Sequence, residues 1–251
     1  MKINIIALVI MFFLSGIFLT AGDDTLKKDV IKTSDGDLEI TFVGHASLIF
    51  EFNGMVIHVD PFSRLTDYSK LPDADLILIT HDHGDHMDTE AVNLIKKENT
   101  QIILTKTCSE TIPGGIVMAN GDVKTVKLAK DLKIEAVPAY NIVHKRPDGT
   151  PFHPKGVGNG YIITFGDKRV YVAGDTENIP EMKNLKNIDI AFLPANLPYT
   201  MTAEMVVEAA DSFKPTVLYP YHFQFGQGQI TELETLMKDK KGIELRIRSR
   251  N

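Results

Sequence analysis

Three of the chain's eight histidines fall within six positions, in the run His81-Asp82-His83-Gly84-Asp85-His86. Imidazoles and carboxylates at this density form a donor set for a transition-metal ion, Zn²⁺, Mn²⁺ or Fe²⁺ rather than Ca²⁺ or Mg²⁺. The apolar run at 76–79 leads straight into the motif and reads as a strand buried on both faces. The donors therefore sit in a loop on a rigid support. In such a loop His81 and His83 can face one ion while Asp85 and His86 face a second. Two later strand ends offer donors of the same kind. Residues 169–173 run into Gly174-Asp175-Thr176, and 217–219 run into Pro220-Tyr221-His222. Each of these alone reads as a turn carboxylate or an ordinary histidine, but one sheet edge could gather all three sets. Cys108 is the single cysteine, which excludes an internal disulfide, a cysteine-based zinc site and a thiol redox pair.

The elements that must carry these residues are mostly short strands. Residues 38–43, 47–52 and 55–59 alternate or run apolar, and Asn53-Gly54 between the last two is a strong hairpin signal. A helix is expected over 89–97, started by Asp88 and ended near Asn99. Strands recur at 101–104, 123–128, 132–137, 161–165, 169–173 and 188–193. Thr202 caps a helix running to Phe213 with Met205, Ala209 and Phe213 on one face, and 217–219 is another buried strand. Thr231 and Glu234 read as the capping box of a last helix that Gly242 stops. Ile243, Leu245 and Ile247 then alternate with charges, as in an edge strand. Strand blocks punctuated by helices fit helices packed on a two-sheet core, with one domain over 36–251.

At 251 residues, 43 % apolar and 24 % charged, the chain is ordinary globular material with enough length for a substantial core. Its net charge of −6 argues against non-specific nucleic-acid binding, which needs Lys and Arg to neutralise phosphates. A small-molecule substrate and no nucleic-acid partner are expected. At the N-terminus, Lys2, an apolar run over 5–19 and the small residues Thr20, Ala21 and Gly22 describe a secretory signal. Residues 1–22 are read as a signal peptide of an exported protein, periplasmic or secreted. The alternative is an uncleaved N-terminal anchor, which would be the one contact with a membrane. No cysteine follows the apolar stretch, so a lipoprotein is excluded.

His81-x-His83-x-Asp85-His86, the Gly174-Asp175-Thr176 turn and the late His222 resemble the signature of the metallo-β-lactamase superfamily. Val43-Gly44-His45-Ala46-Ser47 and Val59-Asp60-Pro61-Phe62 resemble its branch of L-ascorbate-6-phosphate lactonase-like and N-acyl-phosphatidylethanolamine phospholipase D-like hydrolases. The resemblance runs from about residue 38 to 225. It implies an α/β (α+β) fold, a single-domain four-layer αββα sandwich with a dinuclear site at one edge of the two sheets. Two divalent transition-metal ions are implied, Zn first and Mn or Fe as alternatives. His81 and His83 would hold the first with a third histidine, Asp85, His86 and His222 the second, and Asp175 would bridge.

One departure stands out. Where the third histidine is expected to close a strand, the sequence reads Pro138-Ala139-Tyr140-Asn141. The candidates nearby are His153 and His144, 22 and 31 residues before Asp175, and the shorter gap favours His153. His45 is either a group beside the metal site or a hydrogen-bonded turn histidine. Asp60 is expected to orient a metal-binding histidine or the loop below. His58 and Cys108 are expected to be structural, and Lys238, Lys240 and Lys241 a solvated helix end.

The expected activity is hydrolysis of a lactone, amide or phosphoester by a metal-bridging hydroxide, with Asp85 moving a proton as the leaving group departs. No Ser-His-Asp set or Gly-x-Ser-x-Gly elbow suggests covalent catalysis. The alternative is a non-catalytic metal-binding or sensing module on the same fold. A nuclease is disfavoured by the acidic balance.

Overall fold

Alternation of apolar side chains with both faces filled is what builds this protein. The computed structural model describes residues 26–223 and 228–248, so the segment read as a signal, 1–22, lies outside the described residues. The first sheet has seven strands in chain order: β1 (Lys27–Thr33), β2 (Gly36–Gly44), β3 (Ser47–Phe52), β4 (Met55–Val59), β5 (Ala74–Leu78), β6 (Lys96–Leu104) and β7 (Ile116–Val117). Strands β1 to β4 pair antiparallel and β4 to β7 parallel. The helix α1 (Thr89–Ile95) crosses from β5 to β6.

The second sheet repeats the plan with β8 (Val123–Lys127), β9 (Asp131–Ala139), β10 (Gly158–Phe165), β11 (Lys168–Val172), β12 (Ile190–Pro194), β13 (Val217–Tyr221) and β14 (Glu244–Leu245). Strands β8 to β11 are antiparallel and β11 to β14 parallel. The helices α2 (Ala203–Phe213) and α3 (Gln229–Met237) cross between the parallel strands.

Three apolar layers result. Leu48, Phe50 and Phe52 of β3 face Phe165, Phe192 and Tyr219 between the sheets. Ile49, Ile77 and Ile79 turn outward against Ala91, Val92 and Ile95 of α1. On the far side Ile162, Tyr171, Ala191 and Leu218 pack under Val206, Ala210, Phe213, Leu233 and Met237. This is the αββα sandwich. Asn53 and Gly54 both take positive φ, 51° and 76°, the two-residue turn that matches strand twist.

Several boundaries differ from the sequence reading. The sheet starts at Lys27, nine residues before Gly36, because β1 pairs along its whole length with β2. The first helix stops at Ile95, and Lys96 already belongs to β6. The last helix begins at Gln229 after Gly228, whose φ is 72°, so Thr231 lies inside the first turn and caps nothing. Buried Gln229 donates through Nε2 to the Met201 carbonyl, and that tie sets the earlier start. Among the described residues, only Glu244 and Leu245 pair in register at the C-terminal edge.

His58 is buried within β4 and donates from Nε2 to the Pro72 carbonyl at 3.0 Å. Burial pulls its pKa down to about 4, against the upward pull of that hydrogen bond. The unfolded chain takes the proton near its ordinary pKa of about 6.5, while the folded chain refuses it until about pH 4. Stability contributed by the neutral ring is therefore complete above pH 6.5 and falls as the pH drops. Each pH unit in that window costs about 1.4 kcal/mol, or about 3 kcal/mol in all. Urea unfolding at pH 7 and 4.5 should show a shallower acid loss for His58→Phe than for the wild type. Equal losses would show that His58 does not carry the effect.

Candidate metal centre

Every donor the sequence singled out emerges at one edge of the sandwich, beyond the carboxyl ends of strands running the same way. That is where parallel sheets place their ligands. The end of β4 gives Asp60, β5 gives Thr80 and His81, and the turn after β11 gives Asp175. The ends of β12 and β13 give Asn196 and His222. Gly174 makes the last approach possible. Its φ is 67°, and a Cβ there would lie 2.7 Å from the Asn159 carbonyl and 3.2 Å from Thr80 Cβ. Any side chain would push the Asp175 turn away from the histidine loop.

Three overlapping donor groups form, one of which joins His81, His86 and Asp175 across the other two. The ligand atoms of His81, His83 and His153 lie within 4.8 Å of one another, as do those of His45, Asp85, His86 and His222. Asp175 stands between them. Its Oδ2 is 3.2 Å from His153 Nε2, and its Oδ1 is 3.5 Å from both His86 Nε2 and His222 Nε2.

Partners on the outer ring nitrogens fix these rings. His86 Nδ1 donates to Asp60 Oδ2 at 2.8 Å, and His81 Nδ1 donates to Thr80 Oγ1 at 3.0 Å. The Thr80 hydroxyl donates on to Asp60 Oδ2 at 2.7 Å, and its backbone N–H donates to Asp60 Oδ1 at 2.8 Å. His222 Nδ1 lies 3.0 Å from Asn196 Nδ2, and the Asn196 Oδ1 is buried without a partner, so turning the amide over lets Oδ1 accept from Nδ1. His81 and His86 thereby keep Nε2 for the centre, as metal-ligating histidines do, and His222 does so once the Asn196 amide is turned over.

The residues fit a metal. His81 Nε2 and Asp175 Oδ1 are buried without a hydrogen-bond partner, a costly arrangement unless something else satisfies them. His86 Nε2 and His222 Nε2 face each other at 3.0 Å, and with the Asn196 oxygen turned toward His222 Nδ1 both carry lone pairs. A cation resolves both features. Burial pulls the His81 and His83 rings below their ordinary pKa, which favours the neutral form that ligates. Burial pushes Asp175 up, but His222, His86 and His153 outweigh it and hold the carboxyl well below the usual range. At His86 burial is outweighed by Asp175 and Asp60, and the ring is raised to about 9. The site's field calls for positive charge.

The irregular strand end has a structural explanation. Asn141 faces His153. Its Oδ1 accepts from the backbone N–H of His153 at 2.9 Å and from His153 Nδ1 at 2.6 Å, aiming Nε2 inward. His144 points elsewhere, pairing through Nδ1 with Glu177 Oε1 at 2.6 Å. The buried Glu177 carboxylate also accepts from the backbone N–H groups of Ile142, Val143 and His144 and from Asn141 Nδ2. Sequence reasoning missed Glu177 and Asn196. Glu177 lies two positions after Asp175, and Asn196 two after the end of β12, so their one local signal is a position beside a strand terminus.

An αββα sandwich with a histidine and aspartate cluster across the carboxyl ends of both sheets defines a metal-dependent hydrolase. The beta-lactamase superfamily domain matches residues 39–222, and the chain belongs to that family. It is 32 % identical over 214 residues to a UPF0173 metal-dependent hydrolase of Flavobacterium johnsoniae, covering 80 % of this chain and 92 % of the relative. Among solved structures, it is similar to a Parabacteroides distasonis protein whose name proposes a metal-dependent hydrolase. That match has a TM-score of 0.84 and 47 % identity, over 90 % of this chain and all of the other. It is also similar to Igni18, a metallo hydrolase of Ignicoccus hospitalis, with a TM-score of 0.69 and 27 % identity over 85 % and 96 % of the two chains.

Proposed function

We propose that this enzyme holds two divalent transition-metal ions and cleaves a lactone, amide or phosphoester bond of a small molecule. His81, His83 and His153 hold the first ion, Asp85, His86 and His222 the second, and Asp175 bridges them. The observation that carries the reading is the division of Asp175, one oxygen toward His153 and the other toward His86 and His222. Zn²⁺ suits the nitrogen-rich set best, with Mn²⁺ and Fe²⁺ next. When bound, such a pair lowers the pKa of a shared water and polarises the group under attack.

The chain's own residues supply the rest. Asp85, with its side chain 37 % exposed, is the donor on the open side, where a proton is returned to a leaving group. Burial pushes its carboxyl up, yet His222 and His45 hold it far below the usual range, so it carries a proton only in passing. Ile142, Val143, Leu197 and Tyr199 are exposed on the segments that Asn141 ties together through the Tyr199 carbonyl. They form an apolar rim suited to a substrate's non-reacting part. The acidic net charge supports a small-molecule substrate over nucleic acid, and residues 1–22 support export.

Elemental analysis of protein reconstituted with Zn²⁺ or Mn²⁺ should give about two ions per chain. A panel of lactones, esters, amides and phosphodiesters should reveal turnover that a chelator abolishes and added ion restores. Fewer than one ion per chain after reconstitution would overturn the metal assignment. Two ions with no turnover across the panel would favour a sensing module instead.

A further inference from the structure

We infer that His45 is a third imidazole donor at the second metal position, which would then have five protein donors against four at the first. This rests on the two-metal reading above. His45 Nε2 lies 2.8 Å from Asp85 Oδ2, and the same oxygen is 3.6 Å from His222 Nε2 and 3.9 Å from His86 Nε2. Three imidazole nitrogens thus converge on one carboxylate oxygen. A hydrogen bond from His45 to Asp85 accounts for one of these approaches, whereas a single ion accounts for all three. The four ligand atoms lie within 4.8 Å of one another. Donors sharing one ion at bond lengths near 2.1 Å can be at most about 4.2 Å apart, so a small contraction brings all four into one coordination sphere.

The backbone holds His45 there deliberately. The register of β2 and β3 shifts between Phe42 and Gly44, and His45 follows that irregularity in the left-handed region with φ 49°. Its carbonyl accepts from the His222 backbone N–H at 2.7 Å, and His222 itself has φ 50°. Two left-handed turns, one from each sheet, are tied together, and their rings meet with centroids 3.9 Å apart. Non-glycine residues persist in that conformation when the surroundings enforce it, and they cluster at working sites. Asp175 completes the set through Oδ1, 3.5 Å from His86 and His222. The second position then offers three imidazoles and two carboxylates, a set suited to a five- or six-coordinate ion rather than a tetrahedral one.

A crystal structure of the full chain saturated with Zn²⁺ or Mn²⁺, located by anomalous scattering, tests the donor directly. His45 Nε2 is expected within about 2.3 Å of the second ion, alongside His86 and His222. Two bound ions with His45 Nε2 beyond about 3 Å and bonded to Asp85 would overturn this inference and leave the two-metal reading standing. Failure to bind a second ion at all would overturn both. His45→Asn, which tolerates the left-handed backbone, should release the second equivalent to a chelator at least about 10-fold more readily while the first is unchanged. Equal release from variant and wild type would also overturn it.

Discussion

Replacing His153 with alanine is expected to lower the metal content from about two ions per chain to about one and to cut turnover at least about 100-fold. Without His153 the first position keeps His81, His83 and a share of Asp175. Three protein donors, one of them shared, hold an ion weakly beside the fuller second position. His144→Ala should leave the metal content unchanged. His144 sits 22 % exposed against Glu177, and three backbone N–H groups still satisfy that carboxylate. Its loss is worth about 1 kcal/mol of loop stability. Asn141→Ala should fall between these, because it removes the acceptor that aims His153. Elemental analysis after gel filtration reads all three. Metal loss in His144→Ala with none in His153→Ala would reverse the assignment of the loop.

Six of the seven proposed donors were legible because each follows a buried strand. The apolar runs at 76–79, 169–173 and 217–219 mark strands that end at Leu78, Val172 and Tyr221, and the proposed donors follow them closely. The third histidine was harder for a physical reason. It lies in the loop between β9 and β10, whose shape depends on Asn141, 12 positions from His153, and on Glu177, 36 positions from Asn141. Nothing periodic encodes such pairs, so spacing could favour His153 without explaining Asn141. The role of His45 was open for a similar reason. Gly44-His45 reads as a break between strands, but which way the ring points is decided by His222 on the other sheet.

Charge hid β1. Its sequence Lys-Lys-Asp-Val-Ile-Lys-Thr lacks a buried face, and all its residues are exposed or partly so. Ion pairs such as Lys28 with Glu39 and Lys32 with Asp37 fasten it to β2. Asp29 accepts from the Tyr219 hydroxyl and from Arg248, which ties the first sheet's edge to the second. Charged edges of this kind guard a sheet against pairing with other chains. They carry no apolar alternation for a sequence reading to find.

Asp60 supports ligands at both proposed metal positions, so Asp60→Asn should weaken both. The carboxylate is buried, and Oδ2 accepts from His86 Nδ1 and from the Thr80 hydroxyl, which itself accepts from His81 Nδ1. One acceptor thus sets the tautomer of a ligand at each position. An asparagine amide nitrogen in place of Oδ2 would donate toward His86 Nδ1 and Thr80. The proton of His86 would move to Nε2, the nitrogen needed for the ion. Turning the amide over instead sets its NH₂ against the Thr80 backbone N–H, which loses the bond that Asp60 Oδ1 now accepts. Either way affinity should drop about 10- to 100-fold at the second position, and less at the first, where the effect passes through Thr80. Asp60→Ala should do more, because it leaves buried donors unpaired and costs about 3–5 kcal/mol of stability. The asparagine variant therefore separates the two effects. Chelator competition on folded Asp60→Asn, with urea unfolding to confirm near-native stability, reads the tautomer alone. Wild-type affinity at both positions would show that Asp60 merely braces the loop.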